Sequence, residues 1–133
     1  MGMEKRKELE KKLFTVMLAG TLAVTSVTTV FAASGSGRWT IGAFKIDGSN
    51  SITATYGNGT TGGAAKPYSN YVVVSVYDKK NKRKGIGSST AKDANASKTV
   101  LGVNLKRVYS CHGVYDNNYR LVDGVIKGIN TSR

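Results

Sequence analysis

The stretch Asn70-Tyr-Val-Val-Val-Ser-Val-Tyr77 decides the fold. It is β-branched or aromatic at almost every position, the composition of a pleated strand. Successive side chains of a strand point to opposite faces. Val72, Val74 and Val76 therefore line one face, and Tyr71, Val73, Ser75 and Tyr77 the other. Two largely apolar faces predict a strand that is covered on both sides or paired centrally. This strand runs directly into Asp78-Lys-Lys-Asn-Lys-Arg-Lys-Gly85, the densest charge in the chain.

Toward the C-terminus, Gly85 to Ser89 allows at most a short return strand, and Thr90 to Lys98 reads as a loop or one helical turn. Thr99 to Leu105 alternates, with Leu101, Val103 and Leu105 on one face. Arg107 to Tyr115 alternates again. There Val108, Ser110, His112 and Val114 face one way, and Tyr109, Cys111 and Tyr115 the other. Asp116-Asn-Asn118 is a turn whose two asparagines tolerate positive φ. Tyr119 to Ile129 makes a last strand, broken at Gly124.

Toward the N-terminus, Arg38 to Ile46 reads as one strand with a phase-switching bulge at Gly42. Asp47 to Asn50 is a turn, and Ser51 to Tyr56 a strand with Ile52, Ala54 and Tyr56 inward. Residues 57–66, GNGTTGGAAK, form a loop closed by Pro67. Short strands separated by turns, with no amphipathic helix, give an all-β fold: a small antiparallel β-sandwich or barrel.

Residues 1–32 have the organisation of a secretory signal peptide, expected to be helical. A basic head precedes the uncharged run Leu13 to Phe31, and Val30-Phe31-Ala32 offers a small-residue cleavage site. The alternative is a membrane anchor of uncleaved residues 13–31, but six of those nineteen are Thr or Ser. After a flexible leader at 33–37, residues 38–133 make a single β domain.

The whole chain holds 20 basic and 8 acidic residues. Five and three of these lie in residues 1–32, leaving fifteen, five and a net charge of +10. Such a balance favours anionic wall polymers or lipid surfaces; export argues against nucleic acid. The protein is expected to be secreted or associated with the cell envelope.

Catalytic chemistry finds little support. Cys111 and His112 are the only cysteine and histidine. As strand neighbours they point apart, so they do not form a nucleophile-base pair. Cys111 reads as a small buried thiol and His112 as a half-exposed imidazole. One Cys and one His do not supply a zinc site, and Asp116-Asn-Asn118 reads as a turn rather than a calcium loop. Of the five mature aspartates, all but Asp123 fall in predicted turns or loops, the ordinary place for aspartate. No enzymatic activity, metal or cofactor is expected. Cys111 has no partner within the chain, so a disulfide to a second copy would give a homodimer.

The best remaining signal is the turn bearing Lys79, Lys80, Lys82, Arg83 and Lys84. Near anionic headgroups each such residue contributes about 1 kcal/mol. The same charges also discourage edge pairing of an apolar strand, so solubility is a competing role. Tyr68, Tyr71 and Tyr77 are candidates for stacking on sugars, or for filling a thin core.

The layout resembles a known group. Export signal, cationic Gly/Tyr-rich strands, Tyr71-Val-Val-Val before a polar turn, and Val108-Tyr-Ser-Cys-His-Gly-Val-Tyr115 occur in that order. This is similar to the small exported β proteins of Gram-positive bacteria, including the lactococcin 972-like bacteriocins. The resemblance implies a β-sandwich. It also implies an alternative function, action on the cell wall by binding its lipid-linked precursor. No functional residue carries over, since this chain has one Trp and one His where the type member is rich in both.

Overall fold

The computed structural model describes residues 16–18, 21–22 and 32–133. Val16–Leu18 (β1) and Thr21–Leu22 (β2) form a short antiparallel pair. A helix is expected there, and the β-branched Val16 and Thr21 favour the extended form. The rest of residues 1–31, with Val30-Phe31 of the expected cleavage motif, lies outside the described residues.

Ala32–Arg133 form a separate unit. Its strands are β3 (Ala33–Ile41), β4 (Phe44–Ile52), β5 (Tyr56–Gly62), β6 (Ser69–Asp78), β7 (Arg83–Lys92), β8 (Ala96–Leu101), β9 (Leu105–Tyr115) and β10 (Leu121–Ser132). They make two four-stranded antiparallel sheets, ordered β3-β4-β5-β8 and β10-β9-β6-β7. The unit is a β-sandwich, not a closed barrel. The stretch 70–77 falls in β6, hydrogen-bonded to β7 on one side and β9 on the other. Val72, Val74 and Val76 are wholly buried.

The inner face opposite them is built from glycine. A Cβ on Gly57 would lie 2.5 Å from Val76 Cγ1, and one on Gly59 would lie 2.9 Å from Val74 Cγ2. Bare backbone therefore lets the valines sit flush against the facing sheet. Ile52, Ala96, Val100, Leu105 and Val108 complete this cluster. A second cluster of Ile41, Ile46 and Val114 packs with Trp39, Phe44, Tyr68, Val122 and Val125.

Several sequence expectations change. Gly42, at φ +60, is not a bulge but lies in the reversal between β3 and β4. Asp47 to Asn50, expected as a turn, lies mid-strand in β4, and the leader residues Ser34 to Gly37 belong to β3. The expected loop 57–66 is mostly strand β5, because packing overrides the low β propensity of glycine. Tyr56 faces solvent, since the chain turns after Ile52 through Thr53, whose amide bonds Tyr56 O. β7 is ten residues long, and no helical turn lies between it and β8. Leu101 and Val103 are exposed; Val100 and Leu105 are the buried residues of that region. A turn through Asn104, at φ 53, places Leu105 in a different strand from Leu101.

Candidate functional site

Between the two apolar clusters lies a buried chain of polar side chains. Thr131 Oγ1 donates to Asn50 Oδ1 at 2.6 Å. Asn50 Nδ2 donates to Ile129 O at 3.0 Å and to Ser110 Oγ at 2.9 Å. Ser110 Oγ lies 2.6 Å from His112 Nε2, and Thr61 Oγ1 lies 2.7 Å from His112 Nδ1. In the neutral imidazole one ring nitrogen donates and the other accepts, so the two hydroxyls satisfy the ring on both sides. Trp39 stacks on the imidazole with centroids 5.7 Å apart. His112 is thus not half-exposed but fully buried, and burial lowers its pKa to about 4. A Ser–His contact is a nucleophile-base geometry. Here both residues are wholly enclosed within β9, and their bonds to Asn50 and Thr61 tie β9 to β4 and β5.

The basic turn stands at the end of β6. Asp78 Oδ1 accepts the amides of Lys80 at 2.9 Å and Lys82 at 3.0 Å. Asn81 N bonds Asp78 O, and Asn81 adopts φ 63, which asparagine tolerates. The Lys82 amide, then that of Lys80 and the charges of Lys84 and Lys82, hold the Asp78 carboxyl below its usual range. Arg107 braces the turn. Its Nε and Nη2 donate to Asn81 Oδ1 at 3.1 and 2.6 Å, its Nη1 donates to Asn130 Oδ1 at 2.8 Å, and its guanidinium lies 3.9 Å from the centre of the Tyr77 ring. Lys79, Lys80, Lys82, Arg83 and Lys84 are all exposed.

The outer face of the same sheet is aromatic. β6 contributes Tyr71, Val73 and Tyr77, and β9 contributes Tyr109, Cys111 and Tyr115. Tyr71 and Tyr115 pack at 4.6 Å between centroids. The tip of Tyr109 lies over Gly128 of β10. Cys111 is half-buried beside Tyr109 and pushes that phenol up, while burial does the same for Tyr71. Ile86 and Ile126 flank the tyrosines and are exposed. Tyr71 and Tyr77 therefore lie on this face, whereas Tyr68 packs edge-on to Phe44 in the core. Tyr109, Tyr115 and Arg107 were missed as site candidates, although the alternation in 107–115 already set both tyrosines opposite the core residues.

The other outer face, on β3-β4-β5-β8, is hydroxylic. A shallow groove of about 490 Å³ there is lined by Ser36, Arg38, Asp47, Ser49, Thr60 and Asn95, among others. Arg38 Nε donates to Asp47 Oδ1 at 2.6 Å, so its two charges compensate each other.

The five aspartates of residues 33–133 lie apart. Asp47 pairs with Arg38, Asp78 and Asp116 cap their turns, Asp93 pairs with Lys66, and Asp123 accepts from Gly42 N. Among the described residues, no cluster of three or more His, Cys, Asp or Glu is placed to hold a metal ion. No known family, curated protein or solved structure matches the chain.

Proposed function

We propose that this is an exported, non-enzymatic cationic protein that binds anionic components of the cell envelope through Lys79, Lys80, Lys82, Arg83 and Lys84. The observation that carries this reading is the braced turn. Five cations project from one rigid tip, and the one carboxylate among them is occupied by backbone amides. Arg107 holds the turn in place through Asn81, so ordering of its backbone adds little to the entropy lost by the lysine and arginine side chains on binding. The separate structural engagements of the five aspartates support a non-catalytic role.

Co-sedimentation with isolated cell walls and with vesicles containing anionic lipid tests the reading at low and high salt. Binding is expected to weaken as salt rises. It should be lost in a variant carrying K79Q, K80Q, K82Q, R83Q and K84Q. Salt-insensitive binding, or none, overturns it.

A further inference from the structure

We propose that the outer face of the β10-β9-β6-β7 sheet binds an acidic polysaccharide, with sugar rings on the tyrosines and anionic groups at the cationic turn. This rests on the polyanion reading above and adds the ligand's class and its footprint.

Tyr77, Tyr109, Tyr71 and Tyr115 form a continuous track along β6 and β9, with Cys111 between them. From Tyr71 to Tyr77 the track is about 20 Å long at the rise of a strand. Its Tyr77 end meets the basic turn through Arg107. Its far end meets the β9–β10 turn, which presents Tyr119 and Arg120. Tyr119 is 75% exposed and held at φ 60, a costly conformation for a bulky side chain.

Charge complementarity selects the occupant. The sequences of β7, β9 and β10 contain one carboxylate, Asp123, and β6 contains one, Asp78. Asp78 is used by the turn amides and Asp123 by Gly42 N. Asp116, in the turn after β9, likewise accepts the amides of Asn118 and Arg120. Cations therefore outnumber acids along the track, and each of these acids is hydrogen-bonded to backbone amides. A second copy of this chain would bring another +10 against it. Tyr71, Tyr77 and Tyr115 lie half-buried along the sheet, and Tyr109, Ile86 and Ile126 are the exposed large hydrophobic side chains of this face, a small apolar area for insertion into a bilayer. Sugar rings offer flat C–H faces for tyrosine and hydroxyls for the phenols, and an acidic polysaccharide adds the charge.

The test compares two polyanions on the full chain: polygalacturonate, which has sugar rings, and poly-L-glutamate of similar length, which has none. Calorimetry at roughly physiological salt is expected to give about tenfold tighter binding per site to polygalacturonate. Y109S, and separately Y71S with Y115S, should bring polygalacturonate down to the poly-glutamate level and leave poly-glutamate binding unchanged. Y109S alone carries the test if the double variant does not fold, since Tyr109 is partly exposed. Equal affinity for the two polymers, or tyrosine variants that bind polygalacturonate normally, overturns the inference while the polyanion reading stands. Tighter binding to anionic vesicles than to polygalacturonate also overturns it, in favour of a lipid surface. Self-association through this face, seen as a dimer by sedimentation and abolished by Y109S, overturns it in favour of a second copy. Binding to neither polymer overturns the inference, and a lack of binding to anionic vesicles besides removes the underlying reading as well.

Discussion

The two sheets of the sandwich solve opposite problems. The β10-β9-β6-β7 sheet supplies volume: Val72, Val74, Val76, Val108 and Val114 fill its inner face. The β3-β4-β5-β8 sheet supplies space: Gly48, Gly57 and Gly59 leave room for Trp39, His112 and the valines. Their outer faces diverge as well. One is hydroxylic, with Arg38 and Asp47 paired. The other combines tyrosine rings with a cluster of cations that outnumbers its one nearby carboxylate, Asp78. The contrast separates concavity from uncompensated charge: the groove sits beside the Arg38–Asp47 pair, and the excess cations sit on the other sheet. The polar chain from Thr131 to Thr61 joins the two sheets, and it is where their complementarity can be broken most severely.

The largest expected effect is therefore at that chain. Asn50→Ala leaves Thr131, Ser110 and the Ile129 carbonyl without their partner and is expected to cost about 3 kcal/mol or more. Ser49→Ala, one residue away on the outer face, should change stability by less than about 0.5 kcal/mol. Urea denaturation of the two variants reads the difference.

Acid comes next. The His112 pKa of about 4 lies below its ordinary 6.5, so the unfolded chain binds the proton more readily. Stability from this residue is complete above pH 6.5 and falls as pH drops toward 4, by about 3 kcal/mol in all. Denaturation midpoints followed across that window should fall in the native chain. In His112→Gln, weaker overall, the part of this slope that belongs to the imidazole should disappear.

A smaller effect probes the space that glycine provides. Gly57→Ala drives a methyl into Val76 and is expected to cost about 1–3 kcal/mol. Pairing it with Val76→Ala should recover part of that loss, which a double-mutant cycle measures. The smallest effect is a gain. Tyr119→Gly relieves the left-handed backbone and should raise stability by roughly 1 kcal/mol in a thermal melt.

The valine sheet was legible in the sequence, and the glycine sheet was not. In 70–77 and 107–115 the two-residue period sets Val72, Val74, Val76, Val108, Ser110, His112 and Val114 on the sides that are buried. Residues 57–62 carry no apolar period, because their inward positions are Gly57, Gly59 and Thr61. A strand whose task is to leave room looks like a loop until its partner is known. Leu101 and Val103 misled for a related reason: a turn at Asn104 breaks the alternation that joins them to Leu105. The cations of the site were evident as a run, but their brace was not. Arg107, Asn81 and Asn130 lie far apart in sequence and meet only through strand register. The buried setting of His112 likewise depends on Asn50 and Thr61 from the facing sheet.

The most direct measurement is an amide NMR titration of the full chain with polygalacturonate at two salt concentrations. The account predicts salt-sensitive shifts confined to Tyr71–Lys84 and Arg107–Tyr115, with the amides of Ser36, Ser49 and Thr60 unmoved. Shifts centred on the groove at Ser36, Arg38, Asp47 and Thr60, with the tyrosine strands silent, would contradict it.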